Sequence, residues 1–94
     1  MDENEHRLSK FFKLLGNGLR LQMAKRLLER KYYVRELAEE LDRSEKTISR
    51  HFRVFRNQDI VESETEERRR YYWLKQPELV QQALNLTTYF TREE

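Results

Sequence analysis

Ser44-Glu45-Lys46-Thr47-Ile48-Ser49-Arg50-His51-Phe52-Arg53-Val54-Phe55-Arg56 reads as a helix with one apolar edge and one face of hydroxyls and cations. Ser44 can accept a hydrogen bond from the free N–H groups of the first turn, and Glu45 suits the positive end of the helix dipole. The start is therefore well marked. Ile48, Phe52 and Phe55 recur at i, i+4 and i+7, so they share one side. Lys46, Thr47, Ser49, Arg50, Arg53 and Asn57 are left to solvent or to a partner. A merely solvated surface helix would look the same, so the neighbouring chain decides between the two.

Immediately upstream, Val34, Leu37, Ala38 and Leu41 keep helical spacing and mark a second short helix over 34–41. Only Asp42-Arg43-Ser44 separates it from the helix at 44–57. So short a connection permits only a sharply bent pair, and Asp42 can take the left-handed conformation such turns need. Helix, tight turn and basic second helix make a helix-turn-helix, whose second member enters the DNA major groove.

Working outward, residues 1–5 are polar and expected to fray. Leu8, Phe11, Phe12 and Leu15 predict a helix over 5–15. Gly16-Asn17-Gly18 interrupts it, and Asn17 is a good cap for a next helix over 19–30, with Met23, Ala24, Leu27 and Leu28 inward. Lys31-Tyr32-Tyr33 then serves as a link. Downstream, 60–64 and 70–75 read as two strands, β-branched at the start of the first and aromatic in the second. The loop 65–69 has no Gly, Asn or Asp, so a tight two-residue turn is not expected and a longer tip is. This hairpin, at 60–75, is the wing. It must pack on the helices through Tyr71, Trp73 or their neighbours, since an isolated hairpin is marginal in water. Pro77 opens a last helix over 77–91 with Leu79, Val80, Ala83, Leu84 and Phe90 apolar. The expected architecture is mainly α with a small β-hairpin (α+β), a winged helix-turn-helix in the order α-α-α-α-β-β-α, filling 1–94 as one domain.

Ninety-four residues leave room for one small core, and hydrophobic residues at 37% against 38% charged make that core thin. Oligomerisation is the natural supplement. The helices at 5–15 and 77–91 are expected to bury Leu8, Phe11, Phe12, Leu79, Val80, Ala83, Leu84 and Phe90 against a second copy, giving a two-fold homodimer. A formal charge of +2 and a pI near 9.0 are only mildly basic, so a nucleic-acid reading rests on where the cations lie. The absence of cysteine removes disulfides, thiolate metal sites and cysteine catalysis. No apolar run approaches the roughly 20 residues that cross a bilayer. No membrane partner is expected, and a cytoplasmic, nucleoid-associated place in a prokaryote is.

The order of these parts resembles the winged helix-turn-helix regulators of the ArsR/SmtB family over residues 8–90. Leu15-Gly16-Asn17-Gly18-Leu19-Arg20-Leu21 is similar to a family segment of leucine, small residue, aspartate, proline, threonine, arginine and leucine, with the proline missing here. Glu36 to Leu41, followed by Ser44 and Thr47 to Phe52, resembles the family's helix-turn-helix signature. Arg68-Arg69-Arg70-Tyr71-Tyr72-Trp73-Leu74 resembles its wing and returning strand. The resemblance implies a DNA-binding transcriptional regulator, most often a repressor. Many members sense metal through a cysteine-valine-cysteine segment, where this chain has Tyr33-Val34-Arg35. A second family site uses carboxylates and histidines on the last helix, which here offers Glu78 and no histidine. Neither set of ligands is present, so no metal and no cofactor are expected.

Duplex DNA requires cations for phosphates and short donors for base edges. Arg50 and Arg53 can contact guanine or phosphates, and Lys46, Thr47 and Ser49 suit base edges and nearby phosphates. His51 is either a polar contact or a half-buried packing residue, with the former favoured. Arg68 and Arg69 are placed for the minor groove or its flanking phosphates, and Arg70 for pairing with Glu62 or Glu64 across the strands. Glu66 and Glu67 oppose a simply basic tip. Catalysis is not expected: there is no phosphate-binding glycine loop, and Ser49 and His51 point apart on one helix. The competing reading is a winged-helix module that binds protein and no DNA. The favoured one is a homodimeric, sequence-specific regulator on an inverted-repeat site, with half-sites about 34 Å apart.

Overall fold

The computed structural model describes residues 1–90. They run α1 (Glu3–Leu15), α2 (Gly18–Glu29), β1 (Tyr32–Tyr33), α3 (Val34–Leu41), α4 (Glu45–Asn57), β2 (Val61–Glu66), β3 (Arg69–Leu74) and α5 (Pro77–Asn85), ending in a 3-10 turn at Leu86–Phe90. The architecture is a mainly helical winged helix with a small antiparallel sheet, as the sequence predicts.

The helix starts follow their caps. Asn17 accepts from Arg20 N–H at 3.1 Å and Ser44 from Thr47 N–H at 3.1 Å, each satisfying a donor that the first helical turn leaves free. α1 begins earlier than its apolar pattern suggests, because Asp2 and Glu5 form a reciprocal box: Glu5 N–H donates to Asp2 at 2.8 Å and Asp2 N–H to Glu5 at 3.1 Å. The amino-terminal residues expected to fray are thus capped. Asp42 adopts the left-handed conformation, φ 53° and ψ 52°, and Arg43 N–H returns to Ala38 O at 3.0 Å. That single residue turns α3 into α4.

The core gathers one face of every helix. Leu37 of α3, Ile48, Phe52 and Phe55 of α4, Met23 and Ala24 of α2 and Leu14 of α1 are sealed from solvent, with Val80 of α5 closing one side. On α1 the inward set is Phe11, Leu14 and Leu15, at i, i+3 and i+4, so Leu8 and Phe12 turn outward. Two residues expected between copies are therefore core residues of one copy. Phe11 is 5% exposed and Val80 1%, already covered by their own chain.

Three features of the sheet depart from expectation. Tyr32 and Tyr33 form a strand instead of a link, with Tyr32 opposite Tyr72 and Tyr33 opposite Tyr71, so the strand order is β1-β3-β2. The edge of β3 that a two-stranded hairpin would leave open is paired. The hairpin closes with Glu66 opposite Arg69, leaving only Glu67 and Arg68 in the turn, at φ 50° and 71°. Two positive φ angles are what a tight hairpin turn requires, and two charged residues adopt them without Gly or Asn. Arg70 donates to Ser63 Oγ at 2.9 Å and leaves Glu62 to the indole N–H of Trp73 at 3.1 Å. The expected Arg70 pairing with Glu62 or Glu64 is not made.

The last helix is shorter than predicted: α5 ends at Asn85 and tightens into the 3-10 turn, and Thr91 lies outside the described residues. Phe90 and Tyr89 are each 82% exposed.

Candidate nucleic-acid interface

With Ile48, Phe52 and Phe55 committed to the core, the helical period turns Lys46, Ser49, Arg50 and Arg53 to solvent, and all four are exposed. Thr47 is half-buried. Its N–H is capped by Ser44, its hydroxyl oxygen accepts from Ser44 Oγ–H at 2.9 Å, and Arg50 reaches the same oxygen at 3.5 Å. Thr47 therefore orders the first turn and holds Arg50 near the amino end of the helix. No protein carboxylate pairs with Lys46, Arg50 or Arg53 among the described residues. Their charge is available to a polyanion.

His51 lies on the flank of α4, half-buried, with Nδ1 3.3 Å from Arg20 Nη1. Desolvation by burial, followed by the charges of Arg20 and Arg50, holds its pKa below the usual histidine range. Its geometry favours packing over an outward polar contact, the reverse of the sequence expectation.

At the wing, Arg68 and Arg69 are both exposed but differ in support. The Arg69 guanidinium sits 4.8 Å above the Tyr33 ring, which meets Tyr71 edge-on at 5.4 Å. Lys31 covers Tyr71 at 4.8 Å and bonds both oxygens of Glu66 at 3.2 Å. Glu66 is thereby neutralised locally, which leaves Glu67 as the acidic residue of the turn. Tyr33, Lys31 and Arg20 shape this surface, and none of them is expected from the sequence as a site residue, although Arg20 matches the arginine of the family segment. The clue for Arg20 is a cation in a helix first turn. For Tyr33 there is no local clue, since its role depends on a strand 38 residues away.

Behind this surface, Tyr32 donates to Glu40 at 2.7 Å, and Arg26 and Arg30 pair with Glu40 at 3.0 and 3.5 Å. This network joins the end of α2, β1 and α3. Among the described residues no group of three His, Cys, Asp or Glu side chains could hold a metal ion, and no helix is long and apolar enough to cross a membrane.

The sequence profile of the family described as "Bacterial regulatory protein, arsR family" matches residues 17–63, half of the chain. The structure is similar to HlyU from Vibrio cholerae, 25% identical, with a TM-score of 0.84 over 98% of this chain and 100% of that one. The transcriptional repressor BigR from Xylella fastidiosa is 24% identical, with a TM-score of 0.84 over 97% and 93%. The homodimeric winged helix-turn-helix DNA-binding domain of Mb0332 from Mycobacterium bovis is 20% identical, with a TM-score of 0.74 over 100% and 96%. A search of curated proteins returns no match.

Proposed function

Since the chain belongs to the arsR family of bacterial regulatory proteins, we propose that it is a sequence-specific duplex-DNA-binding repressor that acts as a homodimer on an inverted repeat. The observation that carries this reading is the division of α4: one edge sealed in the core, the other presenting Lys46, Ser49, Arg50 and Arg53 without a protein counter-charge. In the complex α4 occupies the major groove, where Arg50 and Arg53 read guanine or grip phosphates and Lys46 and Ser49 serve the amino end. Thr47 and His51 act from behind, by holding the helix. Arg68 and Arg69 meet the minor groove or the phosphates beside it.

The dimer would use the outward residues of α1 and the carboxy-terminal helix. Leu8, Phe12, Leu86, Tyr89 and Phe90 are large apolar side chains left exposed by a single copy. Leu79, Ala83 and Leu84 are half-buried beside them. BigR is described as a transcriptional repressor and Mb0332 as a homodimeric DNA-binding domain, which supports the same roles here. The family's metal-sensing cysteines have no counterpart, so regulation by metal is not part of this reading.

Anisotropy titrations of Arg50→Ala and Arg53→Ala on a selected duplex at several salt concentrations test it. Loss of a base-reading arginine should cost about 1–3 kcal/mol and relax sequence preference, while loss of a phosphate contact should reduce the salt slope by about one. Unchanged affinity in both variants would overturn the assignment and favour a protein-binding module.

A further inference from the structure

Arg20 stands in the first turn of α2, where the helix dipole makes a cation unfavourable. Its side chain leaves that site. Nε donates to Leu14 O at 2.7 Å, and Nη1 meets His51 Nδ1 at 3.3 Å. Leu14 O belongs to the last turn of α1, where carbonyls lack helical partners and the dipole is negative. The guanidinium regains there what it loses at α2. Because a guanidinium can only donate, Nδ1 of His51 must accept, which puts the ring proton on Nε2. The depressed pKa of His51 agrees with a neutral ring.

The other side-chain hydrogen bonds of α4 among the described residues, Ser44 to Thr47 and Arg50 to Thr47, stay within its own cap and first two turns. Among the described residues, what else joins α4 to α1 and α2 is their share of one apolar core, whose packing is non-directional. The Arg20 fork is thus the polar tether between α4 and the amino-terminal helices, and it grips α4 at mid-length.

We propose that Arg20 is a positioning residue for DNA recognition: by bridging Leu14 of α1 to His51 of α4, it fixes α4 against the helix bearing the dimer face and so sets the half-site spacing the dimer prefers. The inference rests on the dimeric DNA-binding reading above. One base pair of misspacing displaces a half-site by about 3.4 Å and rotates it by about a tenth of a turn. The tether adds to the cost of tilting α4 towards such a half-site, and its loss leaves that cost to the apolar packing of Ile48, Phe52 and Phe55 alone.

The test uses the full chain and inverted repeats whose half-sites are moved one or two base pairs either side of the best selected spacing. The wild type should lose about tenfold or more per base pair, comparable with a mismatched base pair. Arg20→Gln should bring neighbouring spacings within about threefold of one another, below the usual cost of a mismatch. Arg20→Lys keeps the charge but cannot fork, so it should behave like Arg20→Gln and carries the comparison should the latter not fold. Arg50→Ala should weaken every spacing alike and keep the preference. The 15N chemical shift of His51 Nδ1 should move in both Arg20 variants.

Arg20 variants that keep the wild-type spacing preference, or that leave the His51 ring nitrogens unmoved, overturn the proposal alone. A wild type that binds no duplex, or binds single half-sites without a spacing preference, overturns the dimeric reading and this inference with it.

Discussion

Tyr72 of β3 lies flat on Phe52 of α4, with ring centroids 4.0 Å apart and planes 9° from parallel. One face of Phe52 thus belongs to the wing, while its neighbours Ile48 and Phe55 complete the core beneath the helix. The helix assigned to the major groove and the strand that returns from the wing share a contact that cannot slide without breaking. The two parts proposed to meet DNA are held together by it.

Phe52→Ala should therefore remove about 3–5 kcal/mol of stability, a large share of the roughly 5–15 kcal/mol a small domain holds, seen as a lower urea midpoint at room temperature. Tyr72→Leu keeps most of the apolar volume and loses the stacking, so a loss of about 0.5–1.5 kcal/mol beyond the change in buried area is expected in the same melts.

The turn at the wing invites stabilisation. Glu67 and Arg68 both hold positive φ, which costs a side-chain-bearing residue roughly 1–2 kcal/mol relative to its preferred conformations. Glu67→Asn should raise the melting temperature and leave DNA affinity intact or improved, because it also removes an acid. Arg68→Gly should stabilise at least as much and weaken DNA binding, so calorimetry and anisotropy should move in opposite senses.

The state of His51 gives a pH dependence whose sign is fixed. Its folded pKa is lowered, first by burial and then by the Arg20 and Arg50 charges, from the ordinary 6.5. As pH falls below about 6.5 the unfolded chain takes up this proton first, so the stability present above that value declines towards acid. His51→Gln should flatten the difference between urea midpoints measured at pH values above and below about 6.5.

For the dimer, Phe12→Glu and Phe90→Glu place a charge on residues that a single copy leaves 51% and 82% exposed. Folding should survive in dilute solution. Sedimentation equilibrium should show association weakened by about 2 kcal/mol or more per substitution if these aromatics anchor the interface. Lys31→Ala, at a side chain that packs on Glu66 and Tyr71 of the wing, should leave association unchanged.

Most of the helical frame could be read locally. Asn17, Asp42 and Ser44 act through hydrogen bonds or backbone angles within a few residues, and the apolar edge of α4 follows from its period alone. What could not be read depends on distant partners. Tyr32 and Tyr33 become a strand because β3 arrives beside them, and the half-buried His51 on the flank of α4 has its partner, Arg20, on another helix. The tight turn at Glu67 and Arg68 runs against local preference and is imposed by the register of β2 and β3, in which Glu66 faces Arg69. On α1 the period is legible but its phase is not: Phe11, Leu14 and Leu15 face inward where Leu8 and Phe12 would fit as well by pattern.

β2 is one of the two outer strands of the sheet, and along it Glu62, Glu64 and the Lys31-paired Glu66 recur at every second residue. A bare strand edge is a template on which another molecule can add its own strand, and a row of like charges repels the matching row of an identical neighbour. Neutralising that row with Glu62→Thr and Glu64→Val should increase β-rich precipitation on concentration relative to the unsubstituted chain, as read by light scattering. Glu62 and Glu64 would then act against strand addition at this edge, a role separate from any contact with DNA.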